Sequence, residues 1–170
     1  MRDFILSAES QETHNRDANY WIRKLEMNAH PEWGWYKETF RDERLVDGKK
    51  NASTAIYFLI EGDSPSHFHR ISSTEMWHFY YGDPLIVHEL SSETKHYKQH
   101  KIGKNLDNGE EFQAFIPSGA WFAAETKGNY SLVGCTVAPG FEFEDFELAE
   151  GESLCQLFPK HRELIQRLTY

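Results

Sequence analysis

Short hydrophobic runs separated by turn signals dominate the chain between about residues 31 and 140. The runs are rich in aromatic and β-branched side chains and lie at residues 55–60, 77–81, 85–90 and 132–137. Turn-forming pairs such as Gly82-Asp83 and Lys127-Gly128 lie between them. Many short strands with regularly spaced turns are typical of β-sandwiches and β-barrels. The pattern therefore predicts an all-β fold over this part of the chain.

Helical spacing at each end of the chain predicts a short helix before the strands and another after them. Trp21 and Leu25 fall on one face of the first helix, and Leu164 and Leu168 fall on one face of the second. Pro159 suits the first turn of the second helix. We therefore predict a single domain over residues 1–170, with a barrel at about 31–150 and helices at about 16–28 and 158–168.

Composition and charge narrow the classes of partner. Aromatic residues make up 15% of the 170 residues, and the net charge is −9. Nucleic acids and anionic membranes require a basic surface, so neither is expected as a partner. The chain has no apolar run long enough to span a membrane, and its first ten residues lack the pattern of a signal peptide. We therefore expect a cytoplasmic protein whose aromatic side chains line a cavity or an interface.

A pair of histidines followed by a glutamate is the strongest chemical signal. His67 and His69 are two residues apart, so on a strand both side chains are expected on the same face. Glu75 begins the next predicted strand and shares its face with Trp77 and Phe79. Two imidazoles and a carboxylate could form a facial site for Fe(II) or a similar divalent metal. The alternative is a hydrogen-bonded polar patch in a ligand pocket without metal.

Residues around this pair extend it into a longer motif. The motif has a glycine on either side and a later Pro-x-Gly turn with two aromatics: Gly62, Gly82, Pro117, Gly119, Trp121 and Phe122. This layout resembles the cupin superfamily, whose fold is a double-stranded β-helix or jelly-roll barrel. The resemblance implies that fold here, and it places Phe122 where cupins usually carry a third metal-binding histidine. Because phenylalanine cannot coordinate a metal, a divalent metal is the alternative prediction and a metal-free ligand pocket is the main one.

A more specific resemblance covers the chain from about residue 18 to residue 168. The stretches at residues 30–41, 68–70, 74–80 and 132–141 resemble an uncharacterised family of small cupins, catalogued as a domain of unknown function. This family is similar in structure to the nucleotide-sugar 3,5-epimerases, which are cupins that work without metal. Membership implies a jelly roll and a homodimer.

The epimerase comparison suggests roles for individual residues. The run from Gly34 to Thr39 resembles the strand that holds the nucleotide, and His69 lies where the base histidine would be. By this analogy Tyr36 and Glu38 line the pocket, with Phe40 on the same strand face. The alternative is an ordinary amphipathic surface strand. Trp33 replaces an arginine that would contact phosphate.

The main functional prediction is a cupin that binds a small polar or sugar-like molecule. Isomerase or epimerase chemistry would use His69 as the base with Glu75 as its partner. The predicted ligand-binding residues are Tyr36, Glu38, His67, Trp77, Phe79, Trp121 and Phe122. One alternative is a metal-dependent enzyme, such as a dioxygenase, that uses His67, His69 and Glu75 as ligands. The other is a small-molecule-binding protein without catalysis.

Other histidines and the cysteines receive simpler interpretations. His78 alternates with Trp77 and Phe79, so it is expected to face away from the cavity. His88, His96, His100 and His161 lie among charged residues and are expected to be solvated. Cys135 and Cys155 do not make a disulfide framework, and Cys135 is expected in the core.

Overall fold

Two antiparallel β-sheets pack against each other in the computed structural model, which describes residues 16–31 and 33–170. The first sheet has six strands, in the order β1 (Asn28–Ala29), β2 (Trp35–Arg41), β5 (Thr54–Glu61), β12 (Tyr130–Ala138), β7 (Thr74–Gly82) and β10 (Gln113–Ile116). The second sheet has five strands, in the order β13 (Glu147–Leu148), β6 (Ser66–Arg70), β11 (Trp121–Thr126), β8 (Leu85–Leu90) and β9 (Tyr97–Ile102). A separate hairpin joins β3 (Leu45–Val46) to β4 (Lys50–Asn51).

From β5 to β8 the strands alternate between the two sheets, and β10 to β13 do the same. This arrangement fits a jelly roll, and the predicted all-β fold class is confirmed. The main core lies between the sheets, where Phe58, Trp77 and Val133 of the first sheet meet Val87 and Phe122 of the second. Alternation along each strand places these side chains inward.

Helices cover parts of the outer sheet faces. The helices are α1 (Ala18–Lys24), α2 (Gly151–Leu157) and α3 (Arg162–Arg167), with 3₁₀ turns at Leu106–Asn108, Phe143–Asp145 and Pro159–His161. Helix α1 packs on the six-stranded sheet near Leu59 and Leu132. Helices α2 and α3 cover the five-stranded sheet, where Phe68 and Trp121 are buried. In the described residues no helix is long and apolar enough to cross a membrane, and the cytoplasmic location stays a prediction.

The C-terminal region contains one helix more than the pattern predicts. In the acidic stretch before the predicted helix, strand β13 is only two residues long and α2 begins at Gly151. The Glu150 side chain accepts hydrogen bonds from the backbone N–H groups of Glu152 and Ser153, which caps this helix. Burial of Leu154 and Cys155 against the sheet then stabilises it.

Two histidines expected to be solvated are buried. His100 is 4% exposed, and its Nε2 lies 2.6 Å from Oε2 of Glu89. His88 is also 4% exposed and lies between the Tyr97 hydroxyl at 2.8 Å and Glu125 Oε1 at 3.0 Å. The expectation is wrong for both because the charged residues around them supply their hydrogen-bond partners. These hydrogen bonds offset the free-energy cost of burying the two imidazoles.

Candidate functional site

A cavity of about 330 Å³ lies between the two sheets. Its walls are mainly aromatic, with Trp33, Tyr36, Phe58, Trp77, Phe141, Phe143 and Phe146. Its polar groups belong to His30, Glu38, Arg41, Thr54, Ser66, His69, Glu75, Cys135 and Glu142. Ligand pockets in proteins commonly measure roughly 300–1,000 Å³ and combine apolar walls with a few polar groups, so the cavity suits a small molecule.

The structure brings five of the predicted site residues together. His69, Glu75, Tyr36, Glu38 and Trp77 all line the cavity. They come from β2, β6 and β7, so both sheets contribute to the site. The placement of Tyr36 and Glu38 favours the pocket interpretation of their strand over that of an ordinary surface strand.

The other predicted ligand-binding residues lie elsewhere. Trp121 is buried beneath the C-terminal helices, with the Arg70 guanidinium 4.5 Å from its ring centroid. Phe79 packs against the main core without lining the cavity. Phe122 is buried behind His69, with 4.1 Å between the ring centroids. It therefore supports the histidine from the core instead of touching a ligand.

A β-bulge separates His67 from His69. Phe122 and Ala124 of β11 pair with His69 and Ser66 of β6, so β6 has one residue more than its partner between these positions. Such a bulge breaks the alternation of side chains. Ser66 and His69 consequently line the cavity, whereas the His67 ring packs 3.8 Å from that of Trp33. The expectation that the two histidines share a face is therefore wrong.

The predicted metal ligands do not converge. His67 is not part of the cavity wall, and Phe122, which the cupin resemblance aligns with the usual third histidine, has no metal-binding atom. Among residues 16–31 and 33–170, no group of three His, Cys, Asp or Glu side chains is placed to hold a metal ion. The donor set His67, His69 and Glu75 therefore does not fit a divalent metal.

His69 presents a free ring nitrogen. Its Nδ1 lies 2.7 Å from the backbone oxygen of His67. Because a carbonyl oxygen only accepts hydrogen bonds, Nδ1 carries the proton and Nε2 has the lone pair. Phe146 stacks on the ring, with 4.7 Å between centroids and 22° between planes. Burial lowers the pKa of His69 to about 4, so the imidazole is neutral at neutral pH.

Glu75 has the opposite shift. It is 9% exposed, and burial raises the pKa of its carboxyl from 4.5 to about 7. A hydrogen bond with the Cys135 thiol acts against this rise, while burial raises the pKa of that thiol well above its usual value. Cys135 is 2% exposed, in the core as expected, and it also lines the cavity. Near pH 7 the Glu75 carboxyl can therefore either donate or accept a proton.

Arg41 is a cavity residue that the sequence pattern did not indicate. Glu38 of β2 pairs with Ile56 of β5, but the next pair is Phe40 with Ala55, so β2 has an extra residue at this point. This bulge points Arg41 into the cavity and leaves Phe40 outside, 51% exposed. The expectation that Phe40 shares a face with Tyr36 and Glu38 is wrong. No local sequence feature marks the bulge.

Trp77 contributes its ring to the cavity wall. The residue is 2% exposed and lines the cavity. Its indole Nε1 is buried and has no hydrogen-bond partner in the described part of the chain. A buried N–H without a partner costs free energy, and because this nitrogen is inaccessible it supplies no hydrogen bond to the cavity.

Comparison with known proteins places the chain in a family. The family described as Cupin superfamily (DUF985) matches residues 19–149. An uncharacterized protein of Saccharomyces cerevisiae is 31% identical over 160 residues, covering 77% of this chain and 74% of that protein. A hypothetical protein from Leishmania major has a similar structure, with a TM-score of 0.86 and 34% identity over 91% of this chain and 99% of that one. A Shewanella oneidensis protein also has a TM-score of 0.86, with 36% identity over 92% of this chain and 99% of that one. The chain therefore belongs to the DUF985 family of the cupin superfamily.

Proposed function

We propose that the protein binds a small polar, sugar-like molecule in this cavity and catalyses a proton transfer on it, as isomerases and epimerases do. The observation that carries the proposal is the inverted ionisation of His69 and Glu75 in one cavity. Burial lowers the pKa of the histidine to about 4 and raises the pKa of the glutamate to about 7. Two titratable groups whose environments push their pKa values apart are characteristic of acid–base sites.

The protonation states of His69 and Glu75 suit the two groups to different roles. Nε2 of His69 has a lone pair at neutral pH and can accept a hydrogen bond or a proton from the ligand. The Glu75 carboxyl has a pKa near neutral pH, which suits a general acid or base because both of its forms are populated. Proton abstraction beside a carbonyl, followed by return to another position or face, requires these two capacities.

The aromatic walls support binding of a small ring-shaped or branched molecule. Trp77 and Phe58 both line the cavity, with 6.0 Å between their ring centroids, and the Phe146 ring stacks on His69. Rings of this kind bury large areas and hold the ligand in one orientation. The neutral state of His69 and the partial protonation of Glu75 keep the desolvation cost of the cavity low.

Hydrogen exchange with solvent is the direct test of this function. Compounds that bind to the protein are incubated in D₂O with wild-type protein and examined by NMR for deuterium at carbon. We expect incorporation with wild-type protein and a loss of at least about a hundred-fold in Glu75→Gln and His69→Gln. His78→Gln serves as the control, because His78 lies on the opposite face of β7 and bonds to Thr136. Binding without deuterium incorporation would reduce the function to ligand binding.

We also propose that the protein is a homodimer. The outer face of the six-stranded sheet presents Phe40, Tyr80 and Phe115, each about half exposed, and no described helix covers this part of it. Strand β10 forms one edge of that sheet. A second copy is the commonest cover for such a face. Light scattering is expected to give twice the chain mass of 19.9 kDa at micromolar concentration, and Phe115→Glu is expected to lower it. A single-chain mass for wild-type protein would contradict the proposal.

A further inference from the structure

The charged groups that line the cavity leave it without an available positive charge. Glu38 and Glu142 are carboxylates at its mouth, and Arg41 is the cation between them. The two histidines of the wall, His30 and His69, are neutral at pH 7, because burial lowers the pKa of each to about 4. The mouth therefore has a net charge of about −1, and ionisation of Glu75 adds to it.

Arg41 cannot serve as an anchor for an anionic ligand, because its five N–H donors are all in use. Its Nε and Nη2 donate to the two carboxylate oxygens of Glu38, at 3.0 and 2.8 Å. Its Nη1 donates to Asn51 Oδ1 at 2.9 Å and to Glu142 Oε1 at 2.7 Å, and Nη2 donates also to the backbone oxygen of Phe141 at 3.2 Å. A guanidinium has five N–H donors. A phosphate or carboxylate would have to displace one of these partners.

The surface around the mouth is acidic as well. Residues 142–152, of which Glu142, Phe143 and Phe146 line the cavity, contain six acidic residues and no basic ones. The nearby Lys50 is paired with Asp145, and Arg70 is paired with Glu147, so acidic residues remain in excess. A concave site with a net negative charge raises the local concentration of cations. Cations are therefore drawn to this mouth and anions are repelled.

The aromatic walls add a feature of recognition that suits a cation. Aromatic faces such as those of Tyr36, Phe141 and Phe143 attract a positively charged nitrogen through their electron-rich centres. Phe141 and Phe143 lie next to each other, with 5.0 Å between their ring centroids. This aromatic wall is independent of the charge at the mouth, and both favour a ligand with a positive charge.

We propose that the ligand is a small organic cation with a positively charged nitrogen, and that the cavity rejects phosphate- and carboxylate-bearing compounds. This inference rests on the proposed function of the same cavity and names its ligand class. The charged nitrogen lies among the aromatic rings, near Glu38 and Glu142. Amino sugars and amino alcohols share this chemistry. The nucleotide sugars that the epimerase resemblance suggests do not, because each carries a pyrophosphate.

Charge-matched probes test the ligand class with the full-length protein. Glucosamine, glucose and glucuronate share one ring and differ in charge, and choline differs from its neutral carbon isostere 3,3-dimethylbutan-1-ol by the charge alone. Binding is measured from the indole N–H signal of Trp77 in ¹H–¹⁵N NMR spectra, assigned with Trp77→Phe. We expect the cation of at least one set to bind about ten-fold more tightly than its neutral partner. Selective binding of glucosamine alone would identify amino sugars as the ligand class. Selective binding of choline alone would identify amino alcohols.

A matched pair of variants shows whether the mouth carries the selectivity. Glu142→Gln keeps an acceptor for Arg41 but removes one negative charge from the cavity wall. We expect it to weaken cation binding by about two- to five-fold and to leave the neutral probes unchanged. Glu144→Gln changes an exposed carboxylate of the same segment that does not line the cavity, and it is expected to retain wild-type affinity. Raising the salt concentration should weaken cation binding in wild-type protein and less so in Glu142→Gln.

The results separate this inference from the proposed function. Equal or tighter binding of glucose or glucuronate than of glucosamine, together with no preference for choline over its isostere, would overturn the ligand class. So would the absence of any Trp77 shift with both cations at millimolar concentration. Deuterium incorporation into a neutral compound would then still support proton transfer. A cation that binds without deuterium incorporation would retain the ligand class and contradict the catalysis.

Discussion

Glu75→Gln is expected to be more stable than wild-type protein above pH 7, by about 3 kcal/mol. Burial raises the pKa of Glu75 from 4.5 to about 7, so between these values the unfolded chain releases a proton that the folded protein keeps. The free energy of unfolding of wild-type protein therefore falls as the pH rises from 4.5 to 7. Below pH 4.5 the carboxyl is protonated in both states, and the two proteins are expected to be similarly stable. Glutamine is neutral throughout and has no such loss.

Urea unfolding of both proteins across this pH range measures the effect. Glu144→Gln is the matched control, because it changes an exposed carboxylate with the same chemistry. Parallel pH profiles for wild-type protein and Glu75→Gln would show that Glu75 is ionised in the folded state, which would remove the basis for its role in proton transfer. Glu75→Gln is expected to gain stability and to lose deuterium exchange. A gain in stability together with a loss of function is typical of substitutions at active-site residues that lie in an unfavourable environment.

Acidification is expected to destabilise the protein through His30 and His69, by about 7 kcal/mol for the two together. Burial lowers the pKa of each from 6.5 to about 4. Below pH 6.5 the unfolded chain therefore binds two protons that the folded protein does not accept until about pH 4. The contribution of these two histidines to the free energy of unfolding falls as the pH drops through this window and is constant below it. Together with the Glu75 effect, this places the highest stability near pH 6 to 7.

Single substitutions show how much each histidine contributes to the loss of stability at acidic pH. His69→Gln and His30→Gln are each expected to remove about half of the loss between pH 6.5 and pH 4, whatever their stability at neutral pH. His96→Gln, which changes an exposed histidine, is the control. The slope of the free energy of unfolding against pH is the measured quantity. A wild-type slope in both cavity variants would contradict the assignment of neutral histidines to the cavity.

Local alternation in the sequence predicted the parts of the site that lie on regular strands. Glu75 and Trp77 lie on a segment of β7 that pairs with β12 without interruption, so their common face follows from their spacing. Tyr36 and Glu38, which the epimerase resemblance assigns to the pocket, precede the bulge in β2, and both line the cavity. The position of Trp121 differs from the predicted one for another reason. Its strand is buried on both faces, and alternation cannot tell which buried face has the cavity.

The two bulges account for the remaining differences at the site. One extra residue in β6 turns His67 away from the face of His69. One extra residue in β2 places Arg41, instead of Phe40, in the cavity wall. A bulge is defined by the register of a strand against its partner, which lies far away in the sequence. The pattern within a single strand therefore does not reveal it.

The amino-acid sequence by itself determined the all-β jelly-roll class, the cupin resemblance, the absence of a histidine at Phe122 and the central residues His69, Glu75 and Trp77. These properties depend on residue type and local spacing. The tertiary structure alone decided that His67 leaves the site, that Arg41 enters it with all its donors occupied and that His88 and His100 are buried. It also decided that His69 is neutral while Glu75 titrates near pH 7. The reason is that burial, bulges and ion pairs depend on which distant segments meet, and only the folded chain brings those segments together.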